Sequence, residues 1–108
     1  MTKTELRKLR TKKALNVLVE QFNAYSISND DGARFDFFVD FEGETFHGQL
    51  DRRDLQISFY DSIRLHGDGF AAEEIKHQAL AVNLEDFINE KLEEELANWD
   101  LVPIFRYQ

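Results

Sequence analysis

Hydrophobic and polar residues alternate in the middle of the chain, and this alternation predicts β-strands. Between residues 34 and 41 the odd positions are all apolar: Phe35, Phe37, Val39 and Phe41. Phe38 is the one apolar residue at an even position. One face of this strand is therefore predicted to point into a core, and the other face to be mostly polar.

Two turn signals extend this strand into a three-stranded antiparallel meander over about residues 34–65. A two-residue turn at Glu42-Gly43 would join the first two strands, and a second turn at residues 51–54 would lead into the third. The predicted facing pairs are Val39 with Phe46, Phe37 with Gly48, Phe35 with Leu50, Leu50 with Leu55, Gly48 with Ile57, and Phe46 with Phe59. Both turns place the same face towards the core, so they support each other. At Gly48 the missing side chain would leave room for a large residue from a helix.

Helical patterns flank the meander on both sides. Thr2 and Glu5 have the spacing of a capping box, which predicts a first helix from near Lys3. Its second half carries the apolar stripe and should pack, whereas its first half should project into solvent. After the meander, a helix is predicted from about Ala71.

The predicted C-terminal helical segment, about residues 71–98, contains two apolar stripes about 160° apart around a helix axis. The stripes are Ala72, Ile75, Ala79 and Val82, followed by Leu84, Phe87, Ile88, Leu92, Leu96 and Trp99. One straight helix cannot bury both. The pattern therefore predicts two helices with a break at Val82-Asn83, where Asn83 would be an N-cap.

These elements predict a single α+β domain over residues 1–108, in the order αβββαα. Residues 101–105 would add a short C-terminal strand, and Pro103 would confine that strand to a sheet edge. The chain length suits one domain, and 43% hydrophobic residues with 10 Phe supply a core. Neither a long apolar run nor a secretory signal pattern is visible, which predicts a cytoplasmic protein.

Charge is divided unevenly along the chain, whose net charge is -8. Residues 1–13 hold six basic side chains against one acidic side chain, a net +5, and the remaining residues carry -13. The basic residues are Lys3, Arg7, Lys8, Arg10, Lys12 and Lys13. This arm is a candidate for contact with nucleic acid, for docking on the acidic body of a second copy, or for an ordinary solvated surface. The acidic body itself should repel phosphate backbones, so direct nucleic-acid binding is disfavoured.

The residue types and spacings point away from catalysis. The chain has no cysteine, which excludes disulfides, thiol nucleophiles and thiolate metal sites. His47, His66 and His77 lack metal-ligand spacing, and neither a glycine-rich phosphate loop nor a nucleophile elbow is present. We therefore predict no catalytic residue, no metal site and no cofactor. A carboxylate-based metal-dependent hydrolase is the alternative within enzymes.

Aromatic and acidic side chains share the outer face of the predicted meander, where Phe38, His47 and Ser58 would form the middle row. Two interpretations stand: a helix covers this face, or a partner binds it. Aromatic anchors ringed by carboxylates suit the basic surface of another protein. The predicted partner-binding residues are Asp36, Phe38, Asp40, Glu42, Glu44, His47 and Tyr60.

Two resemblances suggest more specific functions. The order helix, three strands, helix resembles the double-stranded-RNA-binding domain, and Gly67-Asp68-Gly69 leading into Lys76 resembles the start of its last helix. That resemblance implies nucleic-acid binding, here through the basic N-terminal helix, although residues 72–75 lack the lysines of that family. The small size, acidity and lack of cysteine resemble phage and mobile-element inhibitors, including anti-CRISPR proteins and other DNA mimics. This second resemblance implies an inhibitor of a nucleic-acid-handling enzyme, acting through protein contact.

Overall fold

Two helices and a four-stranded antiparallel sheet make up the computed structural model, which describes residues 2–29, 32–60 and 72–98. The elements are α1 (Lys3–Phe22), β1 (Tyr25–Ser28), β2 (Arg34–Phe41), β3 (Glu44–Asp51), β4 (Ile57–Phe59) and α2 (Ala72–Asn98). The strands lie in the order β1-β2-β3-β4. The predicted α+β class is confirmed, with one strand more and one helix fewer than predicted. The predicted C-terminal strand lies outside the described residues.

The hairpin between β2 and β3 has the predicted register. Val39 lies opposite Phe46, Phe37 opposite Gly48 and Phe35 opposite Leu50. Glu42 and Gly43 have φ values of 52° and 80°, as a two-residue turn that matches the twist of the strands requires. Local turn chemistry therefore decides this pairing.

The predicted pairing of β3 with β4 is wrong by two residues. Leu50 lies opposite Ile57, and Gly48 lies opposite Phe59. The connection is longer than a tight turn because Leu55 adopts a left-handed conformation, with φ 57°. Its N–H donates to the Asp51 carbonyl at 2.9 Å, and its side chain is buried. A shift of two residues preserves the strand parity, so the predicted core residues still face the core.

Strand β1 is absent from the prediction. It pairs antiparallel with β2, with Tyr25 opposite Phe38 and Ser28 opposite Asp36. The register shifts between these two pairs, and Ser26 has a positive φ of 53°, which is typical of a bulge. All of its residues are exposed, so this strand shows no burial alternation that a pattern could detect.

Helix α1 starts as the capping box predicts. The Thr2 hydroxyl accepts a hydrogen bond from the Glu5 N–H at 3.1 Å, and Asn23 ends the helix in a left-handed conformation. The prediction that its first half projects is wrong in part, because Arg10 and Thr11 are buried. A helix buries one side along its whole length when neighbouring elements extend beside it.

The predicted break at Val82-Asn83 is also wrong, since α2 is one continuous helix. The second apolar stripe continues towards the N-terminus through Ala81 and Gln78, which are both buried. In the first stripe, Ile75 remains 52% exposed, Ala79 is exposed and Val82 is half-buried. Leaving one isoleucine exposed to water costs less free energy than breaking the helix, because a break leaves backbone N–H and C=O groups without hydrogen-bond partners.

Because Asn83 is an exposed mid-helix residue, we expect Asn83→Ala to be neutral or to stabilise the protein by a few tenths of a kcal/mol, roughly the difference in helix propensity. An N-cap would instead lose about 1 kcal/mol on this change. Urea unfolding of the two proteins measures the difference. A loss near 1 kcal/mol would contradict a continuous helix.

Both helices pack against the same face of the sheet. The core joins sheet residues such as Phe37, Phe46 and Phe59 to residues Leu18 of α1 and Ile88 of α2. The atoms nearest to the missing side chain of Gly48 belong to the rings of Phe37 and Phe59 on the two neighbouring strands, whereas the prediction expected a helix residue there. Among the described residues, no helix is long and apolar enough to cross a membrane.

Candidate partner-binding face

Four rings stand side by side on the sheet face that points away from the helices. This aromatic row consists of Tyr25, Phe38, His47 and Tyr60. The ring centroids are 5.9 Å apart between Tyr25 and Phe38, 4.5 Å between Phe38 and His47, and 4.4 Å between His47 and Tyr60. The row therefore crosses the whole sheet, with one ring from β1, β2 and β3 and one from the residue that follows β4.

Strand register explains the row. Tyr25 and His47 are the direct cross-strand neighbours of Phe38, and directly opposed side chains on one face are in contact. Tyr60 follows Phe59, which pairs with Gly48, so Tyr60 comes beside His47. Ser58 lies opposite Gln49 instead. The predicted middle row of Phe38, His47 and Ser58 is therefore wrong, because the pairing of β3 with β4 is shifted by two residues.

Two aspartates hold the terminal rings of the row. The Tyr25 hydroxyl donates to Oδ1 of Asp40 at 2.8 Å, and the Tyr60 hydroxyl donates to Oδ1 of Asp36 at 3.1 Å. The hydrogen bond to Asp40 raises the pKa of Tyr25 above its usual value. Its phenol consequently stays protonated, as a donor must be.

Each aspartate has a second oxygen that does not bond a tyrosine. In Asp40, Oδ1 accepts from both the Tyr25 hydroxyl and the Thr45 hydroxyl, the latter at 2.8 Å. In Asp36, Oδ2 lies 4.0 Å from Nε2 of His47. The face thus presents carboxylate oxygens at its surface between aromatic rings.

The two ends of the row are open to solvent, and its middle rings, Phe38 and His47, are half-buried. Tyr25 is 42% exposed and Tyr60 is 41% exposed, and Asp40 and Thr45 are also exposed. Neither α1 nor α2 covers this face, because the buried residues of both helices pack on the opposite side of the sheet. The interpretation that one of these helices covers the face is therefore wrong. Exposed, aligned aromatic rings have no role in the core.

Five of the predicted partner-binding residues come together in this arrangement: Asp36, Phe38, Asp40, His47 and Tyr60. Glu42 lies in the β2–β3 turn. Glu44 points towards α2, where its Oε1 lies 2.6 Å from Nδ1 of His77, and that imidazole stacks on Phe46 with 4.6 Å between the ring centroids. The structure does not bring these two glutamates into the aromatic row.

The sequence prediction missed Tyr25 because it missed β1. The signal available was slight: Tyr25 and Ile27 are apolar residues two positions apart, with serine between and after them. Such a pair is too short to separate a strand from a loop.

The basic residues of α1 do not form one stripe. Arg10 is 3% exposed, and burial together with the neighbouring charge of Arg7 lowers the pKa of its guanidinium. The exposed cations are Lys3, Arg7, Lys8 and Lys12. Lys3 and Arg7 lie on one side of the helix, and Lys8 and Lys12 lie about 140° further round.

Within residues 2–29, 32–60 and 72–98, no group of three or more histidine, aspartate or glutamate side chains is arranged to hold a metal ion. No family model, no curated protein and no solved structure matches the chain.

Proposed function

We propose that the chain is a non-catalytic binding protein, whose open sheet face contacts a basic surface of a protein partner. The observation that supports this most strongly is the aromatic row, whose two terminal tyrosines are held by hydrogen bonds to Asp36 and Asp40. Binding surfaces commonly combine aromatic anchors with charged groups at their edge.

An arginine side chain suits this face best. Its guanidinium can stack on an aromatic ring while its N–H groups donate to a carboxylate. Phe38 and His47 lie between other rings of the row, so a guanidinium would stack on the outer side of a terminal ring, Tyr25 or Tyr60. Asp40 and Asp36, which bond these tyrosines, would supply the acceptors. Lysine would gain the charge interaction without the planar match.

Preorganisation favours binding here. The terminal tyrosines are already fixed by their hydrogen bonds, so less rotamer freedom is lost when a partner docks. The net charge of -8 also speeds the approach of a basic partner and repels nucleic acid. We extend the proposal to an inhibitor or DNA mimic: the carboxylates would occupy a groove of a nucleic-acid-handling enzyme that otherwise binds phosphates.

The first test is a titration with a short arginine-rich peptide, followed by amide chemical shifts of the full chain. We expect Phe38→Ala to weaken binding about tenfold, which corresponds to about 1.4 kcal/mol. The double variant Asp36→Asn, Asp40→Asn should weaken binding and flatten its salt dependence. Asparagine keeps an oxygen that can accept from each tyrosine, so this variant removes charge and preserves the row.

The single variants Asp36→Asn and Asp40→Asn have a matched control in Glu90→Gln, which removes one charge from an exposed residue of α2 away from the row. It should leave peptide affinity within about twofold, since isolated surface charges contribute little. Equal weakening by Glu90→Gln and by a single aspartate variant would show that only net charge matters, and would contradict a specific face.

The natural partner can be identified by a nuclease-treated pull-down from the host at low and moderate salt, using wild type and Phe38→Ala in parallel. A stoichiometric protein captured by wild type and lost in the variant and at higher salt supports the proposal. A nucleic acid that competes for that protein would further support DNA mimicry. If nucleic acid is retained instead, and deletion of residues 3–13 abolishes its retention, the basic arm is the functional element and the proposal fails.

A further inference from the structure

Three arginines line one concavity that shares no residue with the aromatic row. The pocket has a volume of about 360 Å³ and is lined by Arg7, Gly32, Ala33, Arg52 and Arg53. Arg7 comes from α1, the glycine and alanine precede β2, and the two other arginines lie in the β3–β4 connection. The sequence separates these residues widely, and only the fold brings them together.

Hydrogen bonds hold the floor of this arginine pocket in place. The Arg52 side chain donates through Nη1 to the Gly32 carbonyl, and its backbone N–H donates to the Ala33 carbonyl at 3.0 Å. The Gly32 N–H donates to Oδ1 of Asn29 at 2.6 Å. These bonds tie the β3–β4 connection to the segment before β2, so the pocket is built from anchored backbone.

The charges in the pocket are only partly compensated. Arg53 is neutralised by Asp51, with 2.9 Å between Nη2 and Oδ2, and this contact lowers the pKa of Asp51. Arg7 and Arg52 form no ion pair with any residue in the described ranges, although the chain has 21 acidic residues against 13 basic ones. The charge of Arg7 also helps to lower the pKa of Arg10, after the larger effect of burial. Like charge is therefore concentrated beside α1.

We propose that the arginine pocket binds the phosphate group of a small phosphorylated molecule. The planar guanidinium matches two phosphate oxygens at once, which makes arginine the usual residue for such groups. A pocket of this volume lies within the range of about 300–1,000 Å³ of small-molecule sites, which leaves space for an organic group beside the phosphate. The acidic body would repel a long polyanion such as nucleic acid, so a small ligand fits the charge of the whole chain better.

The test is a titration of the full chain with phenyl phosphate and, separately, with inorganic phosphate, at constant ionic strength maintained with sodium chloride. We expect saturable amide shifts confined to residues 32–33 and 52–53 and the first half of α1, with phenyl phosphate binding more tightly. Arg7→Gln should weaken binding by about tenfold. Lys8→Gln removes the same charge from the adjacent position of the same helix, lies outside the pocket, and should change the affinity less than twofold.

Several results would overturn the inference. Shifts that rise linearly without saturation, or that sodium chloride alone reproduces, would show only diffuse charge screening. Equal weakening by Arg7→Gln and Lys8→Gln would remove the pocket as the binding site. Binding of inorganic phosphate with no gain from the phenyl group would contradict a phosphorylated small molecule. Phe38→Ala should not affect any of these titrations, because Phe38 does not line the arginine pocket. Phosphate binding by the pocket and partner binding by the aromatic row are therefore tested separately.

Discussion

Replacing Asn89 with leucine should destabilise the protein by roughly 2–4 kcal/mol, the cost of leaving two buried backbone groups without partners. Oδ1 of Asn89 accepts from the Ile57 N–H at 2.7 Å, and Nδ2 donates to the Ile57 carbonyl at 3.0 Å. Ile57 is only 2% exposed, so water cannot readily replace these bonds. Urea unfolding followed by circular dichroism measures the loss.

Asn83→Leu is the matched control for that change. It makes the same substitution on an exposed position of the same helix, and should alter the free energy of unfolding by less than about 0.5 kcal/mol. Hydrogen exchange adds a local readout, because the Ile57 amide should lose protection in Asn89→Leu and keep it in the control. A destabilisation below about 0.5 kcal/mol in Asn89→Leu would contradict the assigned role.

Side chains of α2 protect the β4 edge of the sheet. The Phe59 N–H donates to Oε1 of Glu85 at 2.8 Å, so two α2 side chains bond the outer edge of β4. An edge with satisfied backbone groups cannot readily pair with a strand from another molecule. Strand β1 forms the other edge and is short and bulged, which also discourages such pairing.

The second large effect is expected at Gly48, where alanine should cost roughly 1–3 kcal/mol through overpacking. An added Cβ would lie 2.7 Å from Cζ of Phe37 and 2.9 Å from Cδ1 of Phe59, well inside normal contact distance. Both rings are fully buried, so neither can move into solvent. At a strand position without such a clash, replacing glycine with alanine is expected to stabilise the protein.

A double-mutant cycle with Phe37→Leu tests the stated cause. Shortening the side chain removes the atom nearest the new Cβ, so Gly48→Ala should be less costly in that background, with a coupling of about 1 kcal/mol. Thermal and urea unfolding of the four proteins provide the cycle. Strictly additive costs would place the strain elsewhere than between these two residues.

The elements that depend on a few adjacent residues were determined by the sequence itself. Alternation over residues 34–41 and the Glu42-Gly43 turn were sufficient for the register of the β2–β3 hairpin, because turn type and strand twist are local properties. The capping box at Thr2 likewise located the start of α1. Strand parity placed Asp36, Phe38 and Asp40 on one face before any tertiary contact was known.

Tertiary contacts decided the rest. The register of β4 depends on burying Leu55 in a left-handed conformation, and the continuity of α2 depends on which side of that helix meets the sheet. Tyr60 completes one end of the aromatic row because of the β4 register, and Tyr25 completes the other end because β1 pairs with β2. Arg7 and Arg52 line one pocket only because the fold brings α1 close to the β3–β4 connection. Periodicity shows which residues can share a face, but burial and hydrogen bonding between distant segments select the face that packs and the residues that meet.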